Sequence, residues 1–429
     1  MRESVHPLDL RDRSEKGKMD TEIGLTPRQS KVNGRFAYMG CIVAQTGVQL
    51  VAPSLPVMRD ALELSDTQLS LVMGFYLLPA ALGAIPAGIL ADKIGRRQVF
   101  GWAMIGLGLC GVALQFFTES FGIFLAIRFV QGLAFAGLLP LTMTILGDAF
   151  RGSELIGAQG RRSVAMLVGD GFLPIAGGVL ASISWQAPWL GQVLAIPFGI
   201  AVLAKLTDPS SLIAKADTTP LRARFSKAFR VKGIYAIQYA SFLRLFLKFS
   251  MLTFLPVLLV DERDLSPAFA GLIVGASAVI GMVPSATAAR IARFGRASTF
   301  VAIGIAFEAI ALAGWALLGS PAAILIAAVV FGIADGLSGV FVNSIVAATP
   351  DTESRASFIA VTGAIRNFAK FLGPISMGVL IIVMSLPAAF VFLAALTFVS
   401  TAAAIPLRGL DARLQDMTSD KRGDPTPVA

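Results

Sequence analysis

Gly88-Ile-Leu-Ala-Asp92-Lys93-Ile-Gly95-Arg96-Arg97 is a charged turn set between two long apolar runs. A degraded copy, Ala288-Ala-Arg290-Ile-Ala292-Arg293-Phe-Gly295-Arg296, lies far downstream and is again bounded by apolar runs. A helix that crosses a bilayer needs about 20 apolar residues, and basic residues collect in the short loops on its cytoplasmic side. A charged turn used twice in that setting marks a duplicated, polytopic membrane protein.

Composition agrees. Hydrophobic residues make up 55% of the 429 positions and charged residues 15%, with mean hydropathy +0.74. A water-soluble chain of this length has no core large enough for that much apolar surface. Twelve spans would use roughly 240 positions, which leaves no room for a sizeable soluble domain. The net charge of +9 does not point to nucleic acid, because the basic residues sit in turns and tails between apolar runs. Cys41 and Cys110 both fall inside apolar runs, and the lone histidine, His6, is in the polar N-terminal tail. No metal site, disulfide framework, cofactor motif or catalytic triad is expected from such residues.

The apolar segments fall at about 35–57, 68–91, 98–117, 121–147, 158–182, 186–205, 233–260, 267–289, 297–318, 321–348, 357–384 and 387–407. Each is read as a helix, since open strands leave backbone groups unsatisfied in lipid. Of the 36 Lys and Arg residues, only Arg59 and Arg263 fall in the proposed outer loops, and Arg128, Arg244, Lys248, Arg366 and Lys370 lie inside spans. The rest are in the tails or alternate loops, which predicts a multi-pass protein of the cell membrane with both termini cytoplasmic. The expected organisation is a tail (1–34), a six-helix bundle (35–205), a linker (206–232), a second bundle (233–407) and a tail (408–429). A basic amphipathic stretch near Leu221–Val231 is expected to lie on the inner leaflet.

The first charged turn matches G-x-L-x-D-x-x-G-R-R, and in this it resembles the signature loop of the major facilitator superfamily. That resemblance extends from Arg35 to Leu407 and implies transport. It also implies an inner gate latched by Gly88, Asp92, Gly95, Arg96, Arg97 and Asp148. In that latch Gly88 lets the second and eleventh helices approach. Asp92 faces a helix N-terminus, and Arg96 pairs with Asp92 and Asp148. Arg128-Phe-Val-Gln131-Gly132 resembles the family's R-x-x-Q-G motif, and Asp170 is a candidate partner for Arg128. Gly169-Asp170-Gly171-Phe-Leu173-Pro174-Ile-Ala-Gly177-Gly178 resembles the antiporter motif G-x-x-x-G-P-x-x-G-G, with Leu173 where the family has glycine. Pro174 removes a backbone donor and the glycines permit close packing.

With Leu55-Pro56 and Tyr76-Leu-Leu-Pro79, the pattern is similar to twelve-span drug–proton antiporters. Thr349-Pro350, Arg355-Ala-Ser-Phe358, Arg366 and Gly373-Pro374 resemble a branch of bacterial multidrug and siderophore exporters. One departure matters: the first span, through Gln45 and Gln49, has no carboxylate. Proton coupling is therefore assigned to Asp170, Glu308 or Asp335, or else the coupling is different; Arg128 either modulates proton transfer or forms a structural ion pair.

Charges inside spans are expensive and face a cavity or a partner. Arg244 and Lys248 are four residues apart and share a helix face, and Arg366 and Lys370 repeat the spacing. Two readings stand side by side. Either these cations pair with Asp170, Glu308 and Asp335, or their excess lines a substrate cavity together with Gln45, Gln49 and Asn343.

The fold expected is all-α, with twelve transmembrane helices in two pseudo-symmetric bundles that alternate access. The function expected is proton-coupled efflux of a small organic compound by a monomer whose partners are substrate, protons and lipid. The alternative is proton-coupled import of an organic anion. An enzyme or receptor is excluded by the lack of a nucleophile–base set, nucleotide loop or sensor domain.

Overall fold

The computed structural model describes residues 25–208, 234–348 and 355–401. Among these residues there are twelve helices and no strand. They are α1 (Pro27–Ala61), α2 (Asp66–Ile94), α3 (Arg96–Ala113), α4 (Phe121–Ala149), α5 (Gly152–Ala181) and α6 (Gln186–Lys205). After these come α7 (Ile234–Asp261), α8 (Pro267–Ile291), α9 (Ala297–Leu317), α10 (Pro321–Ala348), α11 (Arg355–Val383) and α12 (Leu386–Ser400). Ten are long and apolar enough to cross a membrane. The other two are α3, which opens on Arg96 and Arg97, and α12, which is 15 residues long.

The helices follow the expected apolar segments closely, with one marked difference. Helix α1 begins at Pro27 rather than near residue 35. Local chemistry explains the earlier start. Thr26 Oγ1 accepts from the Gln29 backbone N–H at 3.3 Å, and Gln29 Oε1 accepts from the Thr26 N–H at 2.8 Å. This reciprocal cap, with Pro27 in the first turn, stabilises a helix start by about 1 kcal/mol. The N-terminal tail up to residue 24, most of the 206–232 linker including Leu221–Val231, Thr349-Pro350 and the 408–429 tail lie outside the described residues.

Helix α1 is not uniform. Thr46–Leu50 forms a π-helical turn and Ala52–Ser54 a 3₁₀ turn before regular helix resumes at Leu55. Pro53 and Pro56 each lack the N–H that a regular ladder requires. Irregular turns of this kind concentrate at functional positions in helices.

The chain forms two compact units. The first gathers the described parts of Met1–Gly47, Leu82–Gly169 and Leu190–Asp217. Its core is built on Phe100, Met104, Leu141, Ile145 and Val202. The second gathers Val48–Ala81, Asp170–Trp189 and the described parts of Thr218–Ala429. Here α10 packs on α8 and α9, and α11 packs on α7. The buried Trp315 donates from Nε1 to the Ile324 carbonyl at 3.1 Å and tilts against Phe331 at 5.2 Å between centroids. In the same unit α5 meets α8 backbone to backbone, since a Cβ on Gly178 would stand 3.0 Å from Gly271 Cα. Helices in lipid associate through such small-residue contacts rather than through hydrophobic burial.

Candidate functional site

Within the second unit, α7 and α11 each carry two cations one helical turn apart, and their surroundings differ. On α7, Arg244 Nη2 lies 2.8 Å from Asp335 Oδ1, and Arg244 Nε donates to the Asp335 carbonyl at 3.4 Å. Lys248 Nζ stands 3.3 Å from Asp335 Oδ2 and 3.4 Å from Asp170 Oδ2. Asp170 Oδ1 in turn accepts from Gln49 Nε2 at 2.7 Å. The result is a chain of alternating charge, Arg244–Asp335–Lys248–Asp170–Gln49, drawn from α7, α10, α5 and the π-helical turn of α1. Removing these charges from water costs several kcal/mol per ion, and their mutual attraction offsets that cost only while every member is present. Gln49, Asp170, Lys248 and Asp335 line a small cleft whose apolar wall includes Met251 and Phe331.

On α11 the pattern is the reverse. Arg366 Nη2 donates to Asn343 Oδ1 at 2.7 Å and to Ser241 Oγ at 3.4 Å, both neutral acceptors. Lys370 Nζ sits 5.5 Å from the centroid of the Phe249 ring. Neither cation has a carboxylate partner among the described residues. Of the two readings left open, pairing with carboxylates therefore holds for the α7 cations and not for the α11 cations. Glu308, offered as a third carboxylate partner, is only 1% exposed and accepts at 2.7 Å from Ser338 Oγ instead of facing a cation. Its other carboxylate oxygen, Oε2, is buried without a hydrogen-bond partner among the described residues.

The first unit holds the other expected residues. Arg128, fully buried, donates from Nη1 to Gln131 Oε1 at 2.6 Å and to the Gly47 carbonyl at 3.5 Å. Gln131 Nε2 then reaches Gln192 Oε1 at 2.5 Å and the Leu107 carbonyl at 3.0 Å. Asp170, the carboxylate expected beside Arg128, bonds Lys248 and Gln49 instead. The carbonyl at the irregular turn of α1 supplies the acceptor that sequence could not reveal. Gln45 is buried and donates to the Met166 carbonyl at 2.8 Å, which makes it a helix-to-helix tie. At Gly169 an added Cβ would collide with the Gln45 amide. Gly177, in the second unit, leaves room for the Leu50 carbonyl in the same way.

The charged turn between α2 and α3 is built as expected around Arg96. Its Nη1 lies 2.8 Å from Asp148 Oδ2 and its Nη2 3.4 Å from Asp92 Oδ1. Gly95 takes φ of 97°, a conformation that L side chains resist. A residue not foreseen completes the turn: Asp208 Oδ1 accepts from the Arg97 backbone N–H at 3.0 Å, capping the start of α3. Arg97 thus enters through its backbone. A Cβ on Gly88 would meet nothing within 4 Å, so close packing does not require glycine there in this structure.

Two further clusters went unread in the sequence. Arg162 Nε donates to Thr142 Oγ1 at 2.7 Å and its Nη2 to the Leu139 carbonyl at 3.2 Å. Arg59 is bound by Asp60 at 2.8 Å, Asp66 at 3.0 Å and Asp261 at 2.8 Å. Asp60 and Asp66 follow Arg59 closely in the chain and were a legible signal, whereas Asp261 arrives from the end of α7.

Comparison with known proteins bears on this architecture. The family profile of the Major Facilitator Superfamily matches residues 37–369. The bacillibactin exporter of Bacillus subtilis (strain 168) is 30% identical over 154 residues, covering 34% of this chain and 38% of the exporter. The multidrug efflux protein YfmO of the same organism is 28% identical over 246 residues, 54% of this chain and 57% of that protein. The chain thus spans less than two thirds of the length of these curated relatives.

Among solved structures, a bacterial homolog of the human lysosomal transporter Spinster, inward-facing and occupied, superposes with TM-score 0.71 at 15% identity. The match covers 94% of this chain and all of that one. The nucleoside transporter NupG gives TM-score 0.72 at 14% identity over 88% of this chain and 98% of its own. At such identity the likeness speaks to fold alone. With the profile spanning most of its helices, this multi-pass membrane chain belongs to the Major Facilitator Superfamily, a family of transporters rather than enzymes.

Proposed function

We propose that the chain is a secondary active transporter that exports a small organic compound in exchange for protons. The observation that carries this is Lys248, held between Asp170 and Asp335 at the wall of a cleft. With Arg244 on Asp335, two cations face two carboxylates, and the group is a charge-balanced switch. Protonating either carboxylate weakens its hold on Lys248, changes the cost of burying the cation, and so shifts the balance between cavity states. Glu308 and Arg128 are secondary members of the proton route in this reading. The bacillibactin exporter and YfmO support export over import.

In the proposed mechanism two six-helix bundles, 35–205 and 233–407, alternate access around the site. Both termini are cytoplasmic and the transporting unit is a monomer. Gly88, Asp92, Gly95, Arg96, Arg97 and Asp148 form the inner latch, while Gly169, Pro174, Gly177 and Gly178 give α5 its close-packed hinge. Reporters fused at Lys18, Thr218 or Asp420 should read cytoplasmic, and a tag at Asp264 external.

The function is tested in everted membrane vesicles offered a panel of aromatic amines and carboxylates from outside. Export by antiport predicts uptake that requires an acidic interior and collapses when the pH gradient is dissipated. Gradient-independent movement would remove proton coupling. Uptake driven only by an alkaline interior would favour import of an organic anion.

A further inference from the structure

We propose that Arg366 and Lys370 form the seat for the anionic group of the transported compound, so that the substrate class is an organic anion. The inference rests on the transporter reading above and adds the substrate's charge. A guanidinium offers five N–H donors and an ammonium three. The bonds of Arg366 to Asn343 and Ser241 both leave from Nη2, so Nε and Nη1 keep their donors open among the described residues. Lys370 meets a ring face and no acceptor among those residues.

Position supports the same reading. The face of α11 that carries Arg366 and Lys370 is turned toward α7 and α10, because Ser241, Phe249 and Asn343 belong to those helices. It is therefore not a lipid-facing edge on which a long cation would reach for headgroups. Both side chains are half-buried rather than sealed, so a ligand atom can approach them. An ammonium over Phe249 also pairs a cation with a flat apolar surface, which suits an anion carried on an aromatic or apolar body.

Asp170 and Asp335 are already engaged by Arg244 and Lys248, and Glu308 by Ser338. No described carboxylate comes within ion-pairing distance of the α11 pair. Two unneutralised cations in a low-dielectric setting attract an anion far more strongly than they would in water, and repel a cation equally. A substrate carboxylate, sulfonate or similar group would supply the missing counter-charge. This separates the two halves of the network by role: the α7 pair balances the proton-titrating carboxylates and the α11 pair holds cargo.

The test uses the purified full-length chain and matched probes of one, two and three rings, each as a carboxylate and as the corresponding methylammonium, for example 1-naphthoate and 1-naphthylmethylammonium. Binding is followed by calorimetry. The proposal predicts that the carboxylates bind at least about tenfold more tightly than their amines. It also predicts that Arg366→Gln and Lys370→Gln each weaken carboxylate binding by roughly tenfold, the range of one charge-assisted hydrogen bond. Amine binding should stay level or improve, and Arg366→Lys should recover part of the carboxylate affinity.

Amines binding as well as or better than carboxylates, no carboxylate binding at all, or equal loss for both probe types in the two variants would each overturn it. Membrane-fraction yield and helical content of the variants guard against misfolding, and Arg366→Lys keeps the claim testable if a neutral variant fails. Proton-driven transport is measured separately. Anion-selective binding without pH-driven movement would remove the antiport reading and leave the seat intact, while pH-driven movement of amines without anion preference would do the opposite.

Discussion

Arg244 with Lys248 and Arg366 with Lys370 are the same device in sequence, two cations four residues apart on an apolar helix, and the fold treats them in opposite ways. The α7 pair sits among carboxylates, within 2.8 to 3.4 Å of Asp335 and Asp170. The α11 pair meets an amide, a hydroxyl and an aromatic ring. The difference teaches that spacing alone puts two charges on one face, while the neighbouring helices decide whether that face is structural or available. A paired cation cannot be removed without stranding its partner, whereas an unpaired cation can be removed at little cost to folding.

The largest effect is expected from Asp335→Asn. That change strands Arg244 and leaves Lys248 with Asp170 alone, and breaking a buried pair from one side costs about 3 kcal/mol or more. Both membrane-fraction yield and transport should fall, and normal yield would show that the α7 pair does not depend on Asp335. Next comes Asp92→Asn, at Arg96, a cation that Asp92 shares with Asp148. Asp92 is 47% exposed on its side chain, so folding loses at most about 1 kcal/mol. Transport should nonetheless drop roughly tenfold, a typical coupling between conformational states, and Asp92→Glu should do less harm. Unchanged transport in Asp92→Asn would detach the turn from gating.

A smaller effect sharpens the comparison from the other side. Arg366→Gln should leave yield and thermal stability within about 1 kcal/mol of the parent, because only bonds to neutral partners disappear. A collapse in yield would place α11 in the structural class with α7. The least disturbance to folding is expected from Lys370→Gln, where the cation–ring attraction to Phe249 contributes about 0.5–1 kcal/mol.

Much of the fold was legible because lipid simplifies the problem. A helix in a membrane must be long, apolar and bounded by polar or charged residues, so α8 from Pro267 and α10 from Pro321 could be placed by inspection. The start of α1 was missed because Thr26 and Gln29 form a cap inside a stretch whose composition reads as tail. The charged turn was legible down to Arg96 with Asp92, which share a motif, and with Asp148, which the family resemblance implied. Partners that carry no motif were hidden. Asp208 reaches the α3 start from beyond α6, and the Gly47 carbonyl is available to Arg128 beside a π-helical turn that hydropathy does not encode. The candidate site was legible as a set of residues but not as a set of pairs. Asp170 and Asp335 lie 78 and 87 positions from Lys248, and only packing decides which cation they meet.

The most direct test of the account compares Lys248→Gln with Lys370→Gln in one experiment, reading membrane-fraction yield and competition by aromatic anions and cations. The two substitutions are chemically identical and lie at equivalent positions of the repeated pair. The account predicts that Lys248→Gln loses folded protein, since Asp170 is left without its cation and Asp335 keeps only Arg244. Lys370→Gln should keep its yield and lose its preference for anions. Equal yields with equal loss across all substrate charges would contradict the division of roles between α7 and α11.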